Sequence, residues 1–163
     1  MTKKDIFSLA RKEILKLIPY KSARDDFSND QKKMIMMDAN ENPFENQLNR
    51  YPDPMQLKLK KRIAESKKVN VDQIYLGNGS DDIINQLIIA FCIPSVDSIL
   101  ICPPTFGMYE VHANLNLIKS LKVPLNMKFE LDENSIFSSI QKNTKILFIP
   151  NPNNPTGNSF SNL

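Results

Sequence analysis

The chain predicts an α/β fold: a mostly parallel sheet with helices on both faces. Two observations carry this. From residue 73 onward, short apolar runs of strand length alternate with helical patterns, the order of successive βαβ units. The runs Ser98-Ile99-Leu100-Ile101-Cys102 and Lys145-Ile146-Leu147-Phe148-Ile149 are nearly continuous in apolar residues, as strands buried on both faces are. A third observation says where function would sit. Three of the expected strands open into loops rich in Gly, Pro or Asn, and open α/β sheets bind ligands at the carboxyl ends of their strands.

Residues 5–18 place Ile6, Leu9, Ala10, Ile14, Leu15, Leu17 and Ile18 at mostly helical spacing before Pro19, so a helix is expected there. Residues 20–33 are polar and read as an arm or loop. Residues 34–37 are a short strand candidate. Residues 38–54 are rich in Asn, Pro and acids without periodicity and read as an ordered loop. Pro54 suits a first helical turn, and the helix it opens is expected to reach about residue 68 with Leu57, Ile63 and Ala64 inward. The alternation follows: strand 73–76, apolar helix 80–92, strand 98–102, short helix 106–113, strand 117–123, helix 132–141 with Ile136, Phe137 and Ile140 inward, and strand 145–149.

Composition bounds the function. At 163 residues, 41% hydrophobic, 24% charged and net charge +3, the chain is one domain's worth of ordinary globular sequence. The densest basic set, Lys58, Lys60, Lys61, Arg62, Lys67 and Lys68, goes round several faces of its helix and has no interleaved aromatic residues. It reads as a solvated surface, not a nucleic-acid patch. No apolar run is long enough to span a bilayer, and the charged start does not read as a signal peptide, so the cytoplasm is expected. Cys92 and Cys102, both in apolar surroundings, read as small buried hydrophobes. With a single histidine, His112, they indicate neither a disulfide framework nor a metal site.

Several strings carry chemistry. Gly77-Asn78-Gly79-Ser80-Asp81-Asp82 joins an expected strand to a helix. Alone it is a well-capped helix start; it is also a place where free N–H groups and the positive helix end attract an anion. Pro103-Pro104-Thr105-Phe106-Gly107-Met108-Tyr109 follows the next strand and alone reads as a core aromatic pair. Asn151-Pro152-Asn153-Asn154-Pro155-Thr156-Gly157 follows the last. Its prolines stiffen the turn, and Asn154, held out of the α region by Pro155, can aim its amide outward. Earlier in the chain stand Pro19-Tyr20-Lys21-Ser22-Ala23-Arg24, Asp38-Ala39-Asn40-Glu41-Asn42-Pro43 and Arg50-Tyr51-Pro52-Asp53-Pro54.

The seven-residue Asn/Pro string resembles the loop of the pyridoxal-phosphate (PLP) aminotransferases of fold type I. The order of the strings along the chain is similar to that of histidinol-phosphate aminotransferases, and the resemblance covers essentially all 163 residues. It implies the first part of a fold type I PLP-transferase. Residues 1–54 would be the N-terminal helix, arm and substrate-side loop, and residues 55–163 the first, truncated part of the large PLP-binding domain. It implies cofactor contacts from Ser80, Asp81 and Asp82 to the phosphate, mainly through backbone. Phe106, where most relatives carry Tyr, would stack on the pyridine ring. Asn154 would meet the phenolic oxygen, and Tyr51 the phosphate of a neighbouring subunit's cofactor. Tyr20 and Asn40 fall on the substrate side. The implied activity moves an amino group between histidinol phosphate and 2-oxoglutarate, in a homodimer and without metal. The Schiff-base lysine, the pyridinium aspartate and the substrate arginines of the family match nothing before residue 163, so the chain alone is expected to be an inactive N-terminal fragment. Its sheet is expected to be unfinished, with Leu147 and Ile149 exposed. The rival readings are another PLP enzyme of the family (a threonine-phosphate decarboxylase or an aromatic aminotransferase), a non-catalytic product of a truncated gene, or one half of a split enzyme with a separate C-terminal half.

Overall fold

The computed structural model describes residues 6–21, 35 and 37–160. They fall into two compact units, Met1–Lys16 with Gly77–Leu163, and Leu17–Leu76. The helices are α1 (Lys12–Leu15), α2 (Leu57–Lys67), α3 (Gly79–Phe91), α4 (Met108–Leu115) and α5 (Glu133–Ser139). The strands are β1 (Ser98–Ile101), β2 (Lys119–Lys122) and β3 (Thr144–Phe148). The expected strand at 34–37 lies largely outside the described residues, as do Ser22, Ala23 and Arg24 of the arm.

In the larger unit the three strands form a parallel sheet in the order β2-β1-β3. Every residue of β1 is buried, which is why its sequence is apolar without alternation. Ile99 and Ile101 face α3 and α4, packing with Ile84, Ile88, Tyr109 and Ala113. Leu100 and Cys102 face the other way, toward Val123, Leu125 and Ile136 of α5. One four-residue strand therefore organises two cores, and helices cover both faces as expected. Register is regular against β2; against β3 it shifts once, between Ser98 and Ile99. Among the described residues, neither the outer edge of β2 nor that of β3 is paired.

Four expectations are corrected. Residues 5–18 are not one helix but a 3-10 turn, Ile6–Leu9, and the single turn α1. The break has a cause: Arg11 is extended, its N–H donates to the Ala90 carbonyl at 2.9 Å and its guanidinium to the Ile89 carbonyl at 3.2 Å. It thereby satisfies orphan carbonyls at the end of α3, where a cation is favoured. Residues 73–76 are not a strand. Val71–Gln73 is a 3-10 turn, closed by the Gln73 side chain accepting from the Asn70 N–H at 2.9 Å, and Ile74 to Leu76 carry no strand pairing. Helix α2 begins at Leu57 rather than Pro54, because Gln56 sits in the left-handed region at φ 53°. Of its expected inner face only Ala64 is buried, with Leu57 exposed. In α5, Ile136 packs inward but Phe137 is 71% exposed, since successive residues turn by about 100° around a helix. Ile140 already lies past the end of that helix and is exposed.

Candidate functional site

The loops leaving the carboxyl ends of the three strands are stitched together by side chains. Asn153 is the central stitch, only 3% exposed. Its Nδ2 donates to the Pro104 carbonyl at 3.0 Å and to Thr156 Oγ1 at 2.6 Å, and its Oδ1 accepts from Thr105 Oγ1 at 3.1 Å. Thr156 Oγ1 donates in turn to Asn158 Oδ1, and Asn158 Nδ2 donates to the Phe129 carbonyl at 2.9 Å in the loop after β2. The Leu125 N–H closes the circuit by donating to the Pro103 carbonyl at 2.8 Å. The backbone of the Asn/Pro loop is also closed on itself, with Asn153 N donating to Asn158 O and Gly157 N to Asn153 O, both at 2.8 Å. Gly157 takes φ 73°, a conformation glycine adopts without the steric cost other residues meet.

Two expected site residues sit on this frame. Asn154 is solvent-facing, and its carboxamide has no hydrogen-bond partner among the described residues. Phe106 is half-buried and meets Tyr109 edge-on at 5.6 Å between ring centres. Tyr109 stacks on Phe148, at the end of β3, at 4.6 Å. Burial pushes the Tyr109 phenol up from its ordinary pKa, so this ring stays neutral and acts as a wall behind Phe106.

The Gly77–Asp82 turn lies at the same end of the sheet. The carboxyl end of α3 leads through a short link into the amino end of β1, a link held by the Ile93 N–H donating to Asp97 Oδ2 at 2.7 Å. A helix that feeds a strand in this way has its own N-terminus beside the strand's far end. The turn is tight. Gly79 N donates to Gly77 O at 3.0 Å across Asn78 at φ −80°, ψ 71°, an inverse γ-turn. A Cβ on Gly77 would come within 2.7 Å of Ile83 Cγ1 and 2.9 Å of Asp82 Oδ2, so the approach needs glycine. Asp82 spends its carboxylate inside the turn, accepting from Asn78 N at 3.0 Å. The N–H groups of Ser80 and Asp81 have no acceptor among the described residues, and Asp81 Oδ1 is buried without a hydrogen-bond partner.

The remaining expected residues belong to the smaller unit. Tyr20 and Asn40 are exposed, and Tyr51 is 61% exposed. Here too one residue organises the loop. The Glu41 side chain is 4% exposed; its carboxylate accepts from Arg50 Nη1 at 2.8 Å and from the Tyr51 N–H at 2.7 Å. The Tyr51 hydroxyl points back to the Asn40 carbonyl at 3.4 Å, and buried Asn49 donates to the Asn42 carbonyl at 3.2 Å. The loop of residues 38–53 is thus ordered by its own polar groups.

Within the larger unit the arrangement fits a planar aromatic ligand carrying an anionic group. Two free N–H groups at the positive end of a 13-residue helix suit the anion, an aromatic wall suits the ring, and a free carboxamide suits a ring oxygen. A concavity of about 510 Å³ lies elsewhere, lined by Leu87, Phe91, Thr144 and Ile146 at the start of β3. Lys142 and Lys145 also line it, but it lies at the amino end of β3, away from the aromatic wall and the helix N-terminus that suit such a ligand. Sequence reading missed Asn153, Thr105 and Glu41, each inside a string it did single out. The usable signal was that a buried amide, hydroxyl or carboxylate in a tight loop must find partners.

A family model described as aminotransferase class I and II matches residues 24–162. The chain is 49% identical over 156 residues to a histidinol-phosphate aminotransferase of Flavobacterium psychrophilum, covering 96% of this chain and 45% of that protein. The fold is similar to the crystal structure of the histidinol-phosphate aminotransferase from Clostridium acetobutylicum, with TM-score 0.59, 29% identity, and coverage of 71% of this chain and 33% of that one. It is also similar to L-threonine-O-3-phosphate decarboxylase from Porphyromonas gingivalis, with TM-score 0.51, 26% identity, and coverage of 65% and 31%. The chain spans a little under half the length of the curated relatives it matches. With a match running through nearly its whole length, the chain belongs to the class I and II aminotransferases.

Proposed function

We propose that this chain forms the cofactor-phosphate cradle, ring stack and phenolate contact of a PLP-dependent histidinol-phosphate aminotransferase, which moves an amino group between histidinol phosphate and 2-oxoglutarate. The observation that carries this reading is 49% identity across 96% of the chain to a protein of that name, joined to a site whose donors fit PLP. PLP, when bound, supplies an electron sink for the carbon bearing the amino group. The chain's own residues bind and orient. Ser80 and Asp81 offer N–H groups to the phosphate, with the Ser80 hydroxyl beside them and Asp82 shaping the turn. Phe106 covers one ring face and excludes water from it. Asn154 donates its amide to the phenolic oxygen. Tyr51 serves the phosphate of a partner subunit in a homodimer, and Tyr20 and Asn40 face a small phosphate-bearing amino substrate. No lysine of this chain is assigned the covalent link to PLP; that role falls to the additional length present in the relatives. A cytoplasmic location suits such an enzyme. Among the described residues no helix is long and apolar enough to cross a membrane.

The test is a chimera in which residues 1–163 replace the matching segment of the Flavobacterium psychrophilum enzyme. The expected result is a PLP-binding protein that transaminates histidinol phosphate with 2-oxoglutarate. A chimera that binds PLP but decarboxylates O-phosphothreonine in preference would favour the rival activity. One that folds without taking up PLP would refute the cofactor reading.

A further inference from the structure

We propose that Asn153 is a positioning residue that sets the spacing between the Phe106 wall and the Asn154 amide. The proposal rests on the cofactor reading given above and adds to it the residue that holds the pocket at one width. Phe106 and Asn154 lie on loops from different strands, 48 residues apart in the chain, and nothing in either loop alone fixes their separation. Asn153 does so from the position next to Asn154. Its amide hydrogens reach the Pro104 carbonyl and Thr156 Oγ1, and its carbonyl oxygen receives the Thr105 hydroxyl. Thr105 is the residue before Phe106, so each end of this bond is one residue from a group that would touch the ring. The side chain is buried and all its polar atoms are engaged. A carboxamide is the side chain that can give two hydrogens and take one from this one place. An aspartate would set an acceptor oxygen in place of the amide nitrogen, facing the Pro104 carbonyl and giving no hydrogen to Thr156 Oγ1. A leucine would remove the bonds to the Pro104 carbonyl, the Thr105 hydroxyl and Thr156 Oγ1 together, and with them the tie between the two loops. The onward relay through Thr156 and Asn158 to the Phe129 carbonyl ties the same frame to the loop after β2.

The test uses Thr105→Val, which removes the hydroxyl and keeps the shape, with Thr105→Ser as the conservative restoration and Asn153→Asp as the stronger variant. Amide hydrogen exchange is measured on the 163-residue chain, and PLP affinity on the chimera. In the chain, Thr105→Val is expected to speed exchange at the Asn153 and Gly157 amides about tenfold, while the buried β1 amides of Leu100 and Ile101 keep their protection; Thr105→Ser stays within twofold of wild type. In the chimera, Thr105→Val is expected to weaken PLP binding about tenfold, the scale of one lost hydrogen bond, with an unchanged KM for the amino substrate once PLP is saturating. Asn153→Asp exceeds both effects. Unchanged exchange at Gly157 in Thr105→Val overturns the lock, whatever the chimera does. Faster exchange with unaltered PLP affinity overturns positioning and leaves Asn153 a purely structural residue. A loss of β1 protection in Thr105→Val means general unfolding and overturns the local role. Failure of the unmutated chimera to bind PLP is a different result: it refutes the cofactor reading and, with it, the claim that the lock serves that pocket.

Discussion

Asn153 and Asn154 are chemically identical neighbours, and burial alone separates their roles. The buried one is committed to the protein; the exposed one is the amide that the proposed function gives to the cofactor. Asn154→Ala should therefore weaken PLP binding by the chimera about fivefold to tenfold, the net worth of one hydrogen bond, and shift stability by less than about 0.5 kcal/mol, as exposed substitutions do. Equal losses of affinity and of thermal midpoint would mean that Asn154 is structural. The two cysteines make the complementary case. Burial, aided by the Asp97 carboxylate, pushes the Cys92 thiol up to about 11, and burial also raises Cys102. They sit in separate cores on opposite faces of the sheet. Neither should react with Ellman's reagent at pH 8 in the native chain, and both should react in denaturant. Rapid labelling of either thiol under native conditions would show that its core opens. The burial of the thiols was readable in the sequence, because it follows from apolar neighbours, and the Asn/Pro string that carries Asn154 is a local signal. Thr105, Asn153 and Glu41 were not, because what makes them matter is a partner supplied by a distant part of the chain or by a loop with no periodicity.

The elements were readable where a pattern was both local and uncontested. Strands β1 and β3 follow from unbroken apolar runs, and α3 from its apolar face and the turn that precedes it. Two of the failures share a physical form: a side chain took a bond that competed with the expected element. Arg11 capped α3 and broke its own helix, and Gln73 closed a 3-10 turn where a strand was expected. The caps make a pH prediction. The Asp132 carboxyl is held below its ordinary value of 3.8 by the Ser135 hydroxyl and then the Ser135 N–H at the start of α5. The Asp53 carboxyl is held down by N–H groups of Leu57 and Met55 at the start of α2. Both are lowered in the folded state, so each stabilises fully above the unfolded value and loses that contribution as pH falls through the folded one. Asp132→Asn should flatten the acid limb of the stability profile below the ordinary carboxyl value of 3.8, with little change in the slope near neutrality. An acid limb identical to that of the parent chain would remove Asp132 from the account.

At the scale of the whole molecule, a parallel sheet with helices on both faces followed from the order of patterns along the chain, while the strand order β2-β1-β3 did not. The uncovered surface was expected in part. The outer edge of β3 is unpaired, Leu147 on that strand is 38% exposed as expected while Ile149 is partly buried, and Phe137 stands in solvent. Open edges and apolar surface recruit other chains. The 163-residue chain on its own should self-associate with rising concentration in sedimentation, and a sharp two-state melt of a stable monomer would count against this. The enzyme-sized protein raises a different question of assembly, centred on Tyr51. Its backbone is pinned by the buried Glu41 carboxylate, while its ring is largely exposed. Among the described residues the hydroxyl makes one long contact, to the Asn40 carbonyl. A tyrosine so presented is available to a ligand, and the family resemblance assigns it the phosphate of the partner's cofactor. Tyr51→Phe should then remove one charge-assisted hydrogen bond, costing roughly 1.5–3 kcal/mol of PLP binding. Mixing a Tyr51→Phe chimera with one that lacks the PLP-linking lysine decides between subunits. If Tyr51 acts across the dimer, the lysine-bearing site of a hybrid faces the intact Tyr51 of the other chain, and its PLP affinity should return to the unmutated value. Affinity that stays weak in the hybrid would place Tyr51 within its own subunit's site, or away from the cofactor altogether.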